Sequence, residues 1–307
     1  MKRSDARAIP LMSGTQPERR AALLFLAPAL GLILVFFLLP VVAALFLSIT
    51  DFDLYALGDT DNIRMVAFQN YGRLLSSAVF WTAMRNTLVF AAVGGPLTVV
   101  IALTAAILVN AKTTRFKGLF RTIFFAPVVT TLVAVAIVWR FLYHPKFGLI
   151  NEVLGWFGVG AVDWLGDPRF AMAAIIILAI WKNFGYTMII FLAGLQSIPE
   201  ELYEAARIDG ASAWKQFRHI TIPMLGPTFA LVGIITAIGY LQLFAEPYVM
   251  TPNGGPLNST LSVVMYMYQE GFKWWNMGYA AAVAFVLFLV IAASSLVQLQ
   301  LQRMRRA

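Results

Sequence analysis

Six long runs of residues almost free of Asp, Glu, Lys and Arg constrain this chain more than any other feature. Five runs carry no charged residue, and the sixth, 170–199, is interrupted only by Lys182. Each is near or above the roughly 20 residues that a helix needs to cross about 30 Å of hydrocarbon. The five uncharged runs are 21–50, 86–111, 122–139, 219–245 and 274–302.

These runs predict an all-α integral membrane protein with six transmembrane helices. Open strands are excluded because lipid cannot satisfy the hydrogen bonds of a free backbone edge. Charged residues make up 12% of the chain, half of the roughly 25% found in soluble domains. The expected spans are 22–48, 86–110, 120–141, 171–194, 222–244 and 277–300.

The composition also excludes several kinds of site. The chain has no cysteine, which rules out disulfides, iron–sulfur clusters and thiolate zinc sites. It has two histidines, His144 and His219, far apart in sequence, so a multi-histidine metal site is not expected. We therefore predict that this chain binds no metal and no cofactor.

The basic residues indicate the orientation of the spans. If the N-terminus is cytoplasmic, fifteen of the 23 Lys and Arg residues fall on the inside and seven on the outside. The positive-inside rule then places both termini in the cytoplasm. The net charge of +8 is an orientation signal, and nucleic acid is not an expected partner. We predict a cytoplasmic basic tail over 1–20, which is not a cleavable signal peptide, and a six-helix domain over 21–307.

The longest loop on the predicted outer side covers residues 50–85. It ends in SSAVFWTAMRN, a pattern typical of a short helix with Phe80 and Trp81 at the membrane interface. The prolines inside the spans, such as Pro127, are expected to kink their helices.

A charged, helix-prone island, EELYEAARIDGASAWKQFRHITIP, fills residues 200–223 between the fourth and fifth spans. Ser197 and Glu200 fit a capping box at the start of a helix. Gly210 can supply the positive φ that ends this helix. A second turn with Trp214 and Phe217 as anchors should follow. Two interpretations remain open: an ordinary amphipathic loop, or a surface that a soluble protein grips.

The spacing of this island resembles the coupling loop of permease subunits of binding-protein-dependent ABC importers. The shared pattern is Glu-Ala-Ala, three residues, Gly, nine residues and Ile-x-Ile-Pro. Further landmarks resemble the maltose/lactose/glycerol-phosphate branch: Phe68-x-Asn70-Tyr71, Phe80-Trp81-x-Ala83-x-x-Asn86-Thr87, YVMTPNGGP and GYAAA. The maltose-type subunit has additional N-terminal spans and a large periplasmic insertion, which this sequence lacks, so a maltose assignment is not implied.

The resemblance implies that loop 197–223 is a cytoplasmic coupling helix region that docks on a separate ATPase. This chain contains no GxxxxGK[ST] motif, so ATP and Mg²⁺ would bind to two partner ATPase subunits. A second permease subunit, forming a heterodimer, and an extracytoplasmic solute-binding protein are the other implied partners, in a bacterial inner membrane. The residues that match the coupling motif are Glu204, Ala205, Ala206, Asp209, Gly210, Ala211, Ile220 and Pro223.

Polar and aromatic residues in the fourth and fifth spans are candidates for a solute pathway. A charge at membrane depth such as Lys182 should face a wet cavity or a carboxylate, although Lys182 could also snorkel to the surface. Tyr240, Phe244 and Pro247 would share one helical face, with Gln242 and Glu246 on another. Aromatic packing between helices is the alternative. The pathway candidates are Lys182, Asn183, Tyr186, Tyr240, Gln242, Phe244 and Glu246.

We therefore predict a non-enzymatic permease subunit that carries a sugar. The alternative solutes are glycerol-phosphate or an acidic sugar, for which Lys182 would be the counter-charge. An ion-coupled secondary transporter is a remoter alternative that would require acidic residues in midspan, and a membrane-embedded enzyme would require a cluster of catalytic groups there.

Overall fold

The computed structural model describes residues 16–53, 55 and 63–306, with side chains for 23–53, 55 and 63–301. Within these residues the regular structure is helical, apart from an isolated bridge between Thr50 and Met65. The predicted all-α class is confirmed. In chain order the helices are α1 (Gln16–Ile33), α2 (Leu39–Ser48), α3 (Gln69–Ser76), α4 (Ala78–Asn110), α5 (Lys117–Val129), α6 (Leu132–Leu142), α7 (Leu149–Trp156), α8 (Pro168–Gln196), α9 (Glu200–Ile208), α10 (Ala213–Gln216), α11 (Ile222–Met224), α12 (Gly226–Leu241), α13 (Ala245–Met250), α14 (Val263–Tyr268) and α15 (Met277–Arg306).

Short π-helical and 3₁₀ turns join some of these helices. Wide π-helical turns occupy Leu34–Leu38, Phe217–Thr221 and Gln269–Lys273, and 3₁₀ turns occupy Pro252–Gly254 and Pro256–Asn258. Of the basic tail predicted over 1–20, the first 15 residues lie outside the described residues, and α1 begins at Gln16.

Five helical stretches in the described residues are long and apolar enough to cross a membrane. They are Leu23–Ser48, Ala78–Asn110, Pro168–Gln196, Gly226–Met250 and Met277–Leu301. The pair α5 and α6 supplies a sixth span if it is counted as one crossing, but its two halves are bent by 98°. The prediction of an integral membrane fold with six apolar spans is confirmed with this modification.

The bend in the third span is a break in the helix and not the smooth proline kink predicted there. Thr130 and Thr131 both have extended backbone angles, which ends α5 and starts α6 in a new direction. Pro127 lies in the last turn of α5, and its carbonyl accepts a hydrogen bond of 2.6 Å from the Thr130 hydroxyl. Two consecutive extended residues leave several carbonyls of α5 without helical partners.

The second span starts earlier than predicted. The short interfacial helix expected around Phe80 and Trp81 is wrong as a separate element, because these residues form the first turn of α4. The Ser77 side chain caps α4 by accepting the Phe80 N–H at 3.2 Å. Phe80 is 1% exposed and packs in the core, whereas Trp81 is half exposed.

Helix α4 lies at the centre of the fold and takes part in three clusters of buried side chains. Its first turns pack with α14 and α15 through Phe80, its middle packs with α6 and α8 through Phe90, and its last turns pack with α8 and α12 through Ala102. By contrast, the side chains of the first span are exposed almost throughout. In a membrane, lipid or another subunit must cover them.

Glycines allow the central helices to approach closely. A Cβ added to Gly185 of α8 would collide with the carbonyl oxygen of Phe124 in α5. A Cβ added to Gly94 of α4 would lie 2.5 Å from Cε1 of Tyr240 in α12. Small residues at such contacts are typical of helix packing in membranes, where close backbone approach provides the attraction.

Two asparagines, Asn70 in α3 and Asn86 in α4, hold neighbouring backbone segments by side-chain hydrogen bonds. Asn70 Nδ2 donates to the carbonyls of Ser48 and Thr50, at 2.9 and 2.7 Å, and so binds the end of α2. Asn86 Nδ2 donates to the carbonyls of Asn258 and Leu261, at 2.7 and 3.0 Å. Both asparagines belong to the landmarks noted in the sequence, and both satisfy backbone groups that loops leave free.

The contact at Gly185 generates a prediction. Replacing Gly185 with Ala should force α5 and α8 apart and lower the free energy of unfolding by about 1–3 kcal/mol, the usual range for overpacking. The apparent Tm of the purified protein in detergent measures this effect.

Gly118→Ala is the matched control, because an added Cβ at this position in α5 meets open space in the described part of the chain. This substitution should be neutral or slightly stabilising, since Ala is favoured over Gly in a helix. Equal Tm values for the two variants would contradict the close contact between α5 and α8.

Candidate functional site

A cavity of about 490 Å³ lies between α4, α8, α12 and α13. The structure brings six of the seven predicted pathway residues to its wall, from α8, α12, α13 and the segment between α12 and α13. Lys182 is the exception and is not among the described residues that line the cavity. The six are Asn183, Tyr186, Tyr240, Gln242, Phe244 and Glu246.

A helix break places Gln242 and Glu246 on the same wall as Tyr240. Helix α12 ends at Leu241 and α13 begins at Ala245, with Phe244 at φ −146° and ψ −60°. The expectation that Gln242 and Glu246 occupy a different face from Tyr240 and Phe244 is wrong, because helical spacing does not continue across residues 242–244.

Tyr240 is held in the cavity wall by contacts with α4. Its ring stacks on Phe90 with a centroid distance of 4.9 Å, and its hydroxyl shares a hydrogen bond of 2.5 Å with the Thr98 hydroxyl. Gly94 leaves the space that the ring occupies. Since Tyr240 is only 4% exposed, its ring is fixed by α4 before any solute arrives.

Asn183 and Tyr186 contribute polar atoms from α8. Asn183 Nδ2 donates to the carbonyl of Ala179 at 2.9 Å. Tyr186 is 45% exposed at the cavity wall. Phe90, Thr98, Leu132 and Thr187 also line the cavity and were missed in the sequence. Thr187 lies one helical turn after Asn183 on the same face of α8, so its position could have been predicted from the sequence. Thr98 lies on α4, and only the packing of α4 against the other helices brings it to the cavity.

The Lys182 ammonium points to the break between α5 and α6. Its Nζ donates to the carbonyls of Pro127, Val128 and Thr130 at 2.6, 3.1 and 2.8 Å, and the residue is 8% exposed. These carbonyls form the negative end of the α5 dipole, which favours a cation. The ammonium therefore has backbone partners that the sequence did not indicate.

A second candidate region is the loop of residues 197–223, which lies beyond the ends of α8 and α4. Helix α9 carries Glu204, Ala205 and Ala206, and Asp209 is its C-cap. Gly210 follows at φ +71°, as predicted, and the Ala211 N–H donates to the Ala206 carbonyl at 2.8 Å. This is the bonding pattern of a glycine-terminated helix end.

The rest of this loop returns to the spans through α10 and α11. Trp214 is 66% exposed and its ring lies 5.5 Å from that of Phe217. Ile220 packs against the buried cluster of α4, α8 and α12, whereas Pro223 is exposed in α11. The Tyr203 and Thr221 hydroxyls share a hydrogen bond of 2.9 Å, which joins α9 to the returning segment.

The predicted capping box at the start of α9 does not form. Pro199 is the N-cap, and the Ser197 hydroxyl donates to the Gly194 carbonyl instead. Glu200 accepts from Lys112 Nζ at 2.8 Å and from Arg207 at 3.2 Å. The local pattern failed because Glu200 has stronger, charged partners.

The ion pairs of Glu200 tie α9 to the end of α4. Lys112 and then Arg207 hold the pKa of the Glu200 carboxyl below its usual range. Any stabilisation from these pairs is therefore present at neutral pH and lost as the pH falls through the lowered pKa. Because the groups are exposed, the pairs orient α9 more than they stabilise the fold.

Side chains suited to a metal are not gathered anywhere in the described residues, where no group of three or more His, Asp or Glu lies close enough to hold an ion. The candidate functional regions among the described residues are the cavity between α4, α8, α12 and α13 and the loop 197–223.

Comparison with known proteins gives relatives over nearly the whole chain. The lactose transport system permease protein LacF of Rhizobium radiobacter is 40% identical over 290 residues, covering 92% of this chain and 94% of the relative. The arabinooligosaccharides transport system permease protein AraP of Bacillus subtilis is 35% identical over 285 residues, covering 92% and 89%.

A solved structure has the same fold. The crystal structure of a bacterial ABC transporter involved in the import of the acidic polysaccharide alginate contains a chain with a TM-score of 0.77 and 25% identity, covering 93% of this chain and 96% of that one. A family model matches residues 98–306. The chain belongs to the family of inner membrane components of binding-protein-dependent transport systems.

Proposed function

We propose that this chain is a permease subunit of an ATP-driven importer and carries a sugar delivered by an extracytoplasmic binding protein. The names of the two relatives, both sugar-transport permeases, support a sugar as the solute. The cavity supports it as well, because aromatic rings and neutral polar groups line it together. Sugar rings have apolar faces and hydroxyl edges that suit such a wall.

The loop 197–223 is the part of the chain that receives motion from the ATPase. The observation that carries this role is the position of α9, which is exposed to solvent on one side and tied to the spans on the other. Leu202, Glu204 and Ile208 are exposed, and Ile208 is 87% exposed. The Lys112–Glu200 ion pair and the Tyr203–Thr221 hydrogen bond make the opposing connections.

This role of the loop requires further subunits. Two separate ATPase subunits bind ATP and Mg²⁺, and a second permease subunit completes the pathway as a heterodimer. The basic residues near the loop, including Lys112, Lys117 and Arg207, support a cytoplasmic location for this end of the molecule. Both termini are then cytoplasmic, with residues 1–20 as a tail and 21–307 as the transmembrane domain.

Replacing Gly210 with Pro tests the docking role of the loop. Proline cannot adopt the φ of +71° found at Gly210, and it removes the N–H that donates to the Arg207 carbonyl. The variant should insert normally but lose the ATPase subunit on purification and fall to background in ATP-linked uptake. Co-purification of the ATPase, quantified by mass spectrometry, measures the first effect.

Gly158→Pro is a closely matched control in the loop between α7 and α8. Gly158 has φ +76°, and its N–H donates to the Gly155 carbonyl at 3.0 Å. This variant should retain the ATPase subunit. Equal retention of the ATPase by both variants would count against docking at loop 197–223.

Removing the Tyr186 ring tests the role of the cavity. Tyr186→Ala should lower the rate of sugar uptake at subsaturating concentration about threefold to tenfold, since ring stacking contributes about 0.5–1.5 kcal/mol. The assay uses radiolabelled lactose or arabinotriose, whichever the purified binding protein retains.

Ile177→Ala serves as the control, because Ile177 lies on the same helix, is 43% exposed and is not among the described residues of the cavity wall. Its uptake rate should match that of the unsubstituted chain. A similar loss in both variants would mean that Tyr186 acts through general packing.

A further inference from the structure

The charge of the cavity wall is set by one residue. Among the described residues that line the cavity, Glu246 carries the one carboxylate, and no Lys, Arg or His is present. The other polar groups are hydroxyls and amides, including Thr98, Asn183 and Gln242. A solute in this cavity therefore meets neutral hydrogen-bonding groups and a single acidic side chain.

Lys182 is next to Asn183 in sequence, but its ammonium points to the break between α5 and α6. Its ammonium interacts electrostatically with Glu246, yet its three hydrogen bonds go to the carbonyls of Pro127, Val128 and Thr130. The ammonium keeps its positive charge, but these bonds hold it against the carbonyl end of α5. Lys182 is not among the described residues that line the cavity, so Glu246 is the charged side chain that a solute would contact there.

We propose that Glu246 is a specificity-determining residue, which gives the cavity a negative potential and restricts the pathway to neutral sugars and amino sugars. Sugar acids and sugar phosphates would be excluded, because a like charge inside a poorly screened cavity is repelled. This inference rests on the proposed function, in that it takes the cavity as the solute pathway.

The fold itself does not exclude anions. The structurally similar transporter imports an acidic polysaccharide, at 25% identity and a TM-score of 0.77. Selection by charge must therefore reside in particular side chains of the pathway, and among the described residues of the cavity wall the charged one is Glu246.

The absence of cysteine from this chain allows the potential to be measured directly. Gln242→Cys places a thiol on the wall of the same cavity as Glu246. The reporter is labelled in the intact transporter, purified from membranes, with cationic trimethylammonioethyl or anionic sulfonatoethyl methanethiosulfonate. Labelling of partner subunits is subtracted with the complex that carries the unsubstituted chain, and rates are normalised to a small free thiol.

The cavity thiol should react faster with the cation, and Glu246→Gln should lower the ratio of cationic to anionic rates at least about fourfold. Even in water-like surroundings, a unit charge about 10 Å away changes each rate about twofold, in opposite directions, and a less screened cavity gives a larger change. Glu246→Asp should keep the ratio of the unsubstituted chain. An unchanged ratio in Glu246→Gln would overturn the proposal.

Thr113→Cys is the control reporter, since Thr113 is exposed in the connection between α4 and α5, at the Lys112 end of α4. Its ratio should not respond to Glu246→Gln. A second measurement leaves Glu246 intact: raising the salt concentration should reduce the cation preference at Gln242→Cys. A preference for the anion at low salt would overturn the proposal even if the Gln variant failed to fold.

The labelling experiment and the ATPase experiment fail independently. Labelling requires only a folded cavity, so an unchanged ratio in a complex that still transports sugar overturns the role of Glu246 alone. Retention of the ATPase by Gly210→Pro would instead contradict the coupling mechanism and leave the measured potential of the cavity intact.

Discussion

Three hydrogen bonds from the Lys182 ammonium to the carbonyl end of α5 hold the break on which the rest of the structure depends. Hydrocarbon cannot satisfy free carbonyls, so a span interrupted at Thr130 and Thr131 needs an internal donor. Lys182 meets this need, and α6 can then leave α5 at 98°. The first residue of α6, Leu132, lines the cavity. A buried charge that resembles a ligand group thus stabilises the backbone that shapes the cavity.

The cavity also depends on close helix contacts at two glycines. Gly185 brings the backbone of α5 against α8, and Gly94 admits the Tyr240 ring against α4. Because α4 packs along most of its length with α8, α12 and α15, these contacts fix the distances between the walls. The non-helical segment after Leu241 then turns Gln242 and Glu246 toward the same space. Packing and a helix break together create a polar cavity from mostly apolar helices.

Much of this architecture is predictable from local sequence, and the errors share one cause. Six apolar spans and the positive φ of Gly210 were predicted, because uncharged length and glycine chemistry act locally; five spans are continuous helical stretches and the sixth is the bent pair α5 and α6. The interfacial helix at Phe80, the capping box of Glu200 and the separate face of Glu246 were wrong. Each depended on where a helix begins or breaks. For Glu200 the outcome was decided by Lys112, a partner distant in sequence.

The sequence by itself determined that the chain lies in a lipid bilayer, how many apolar spans it has, and that a polar loop joins the fourth and fifth spans. The reason is that hydrocarbon tolerates few charged side chains, so the loops must carry them. It also nominated Asn183, Tyr240 and Glu246. Only the tertiary structure decided that these residues share one cavity and that Lys182 does not join them. The direction of a side chain at membrane depth depends on which freed backbone groups the packed helices place beside it, and local periodicity carries no record of those contacts.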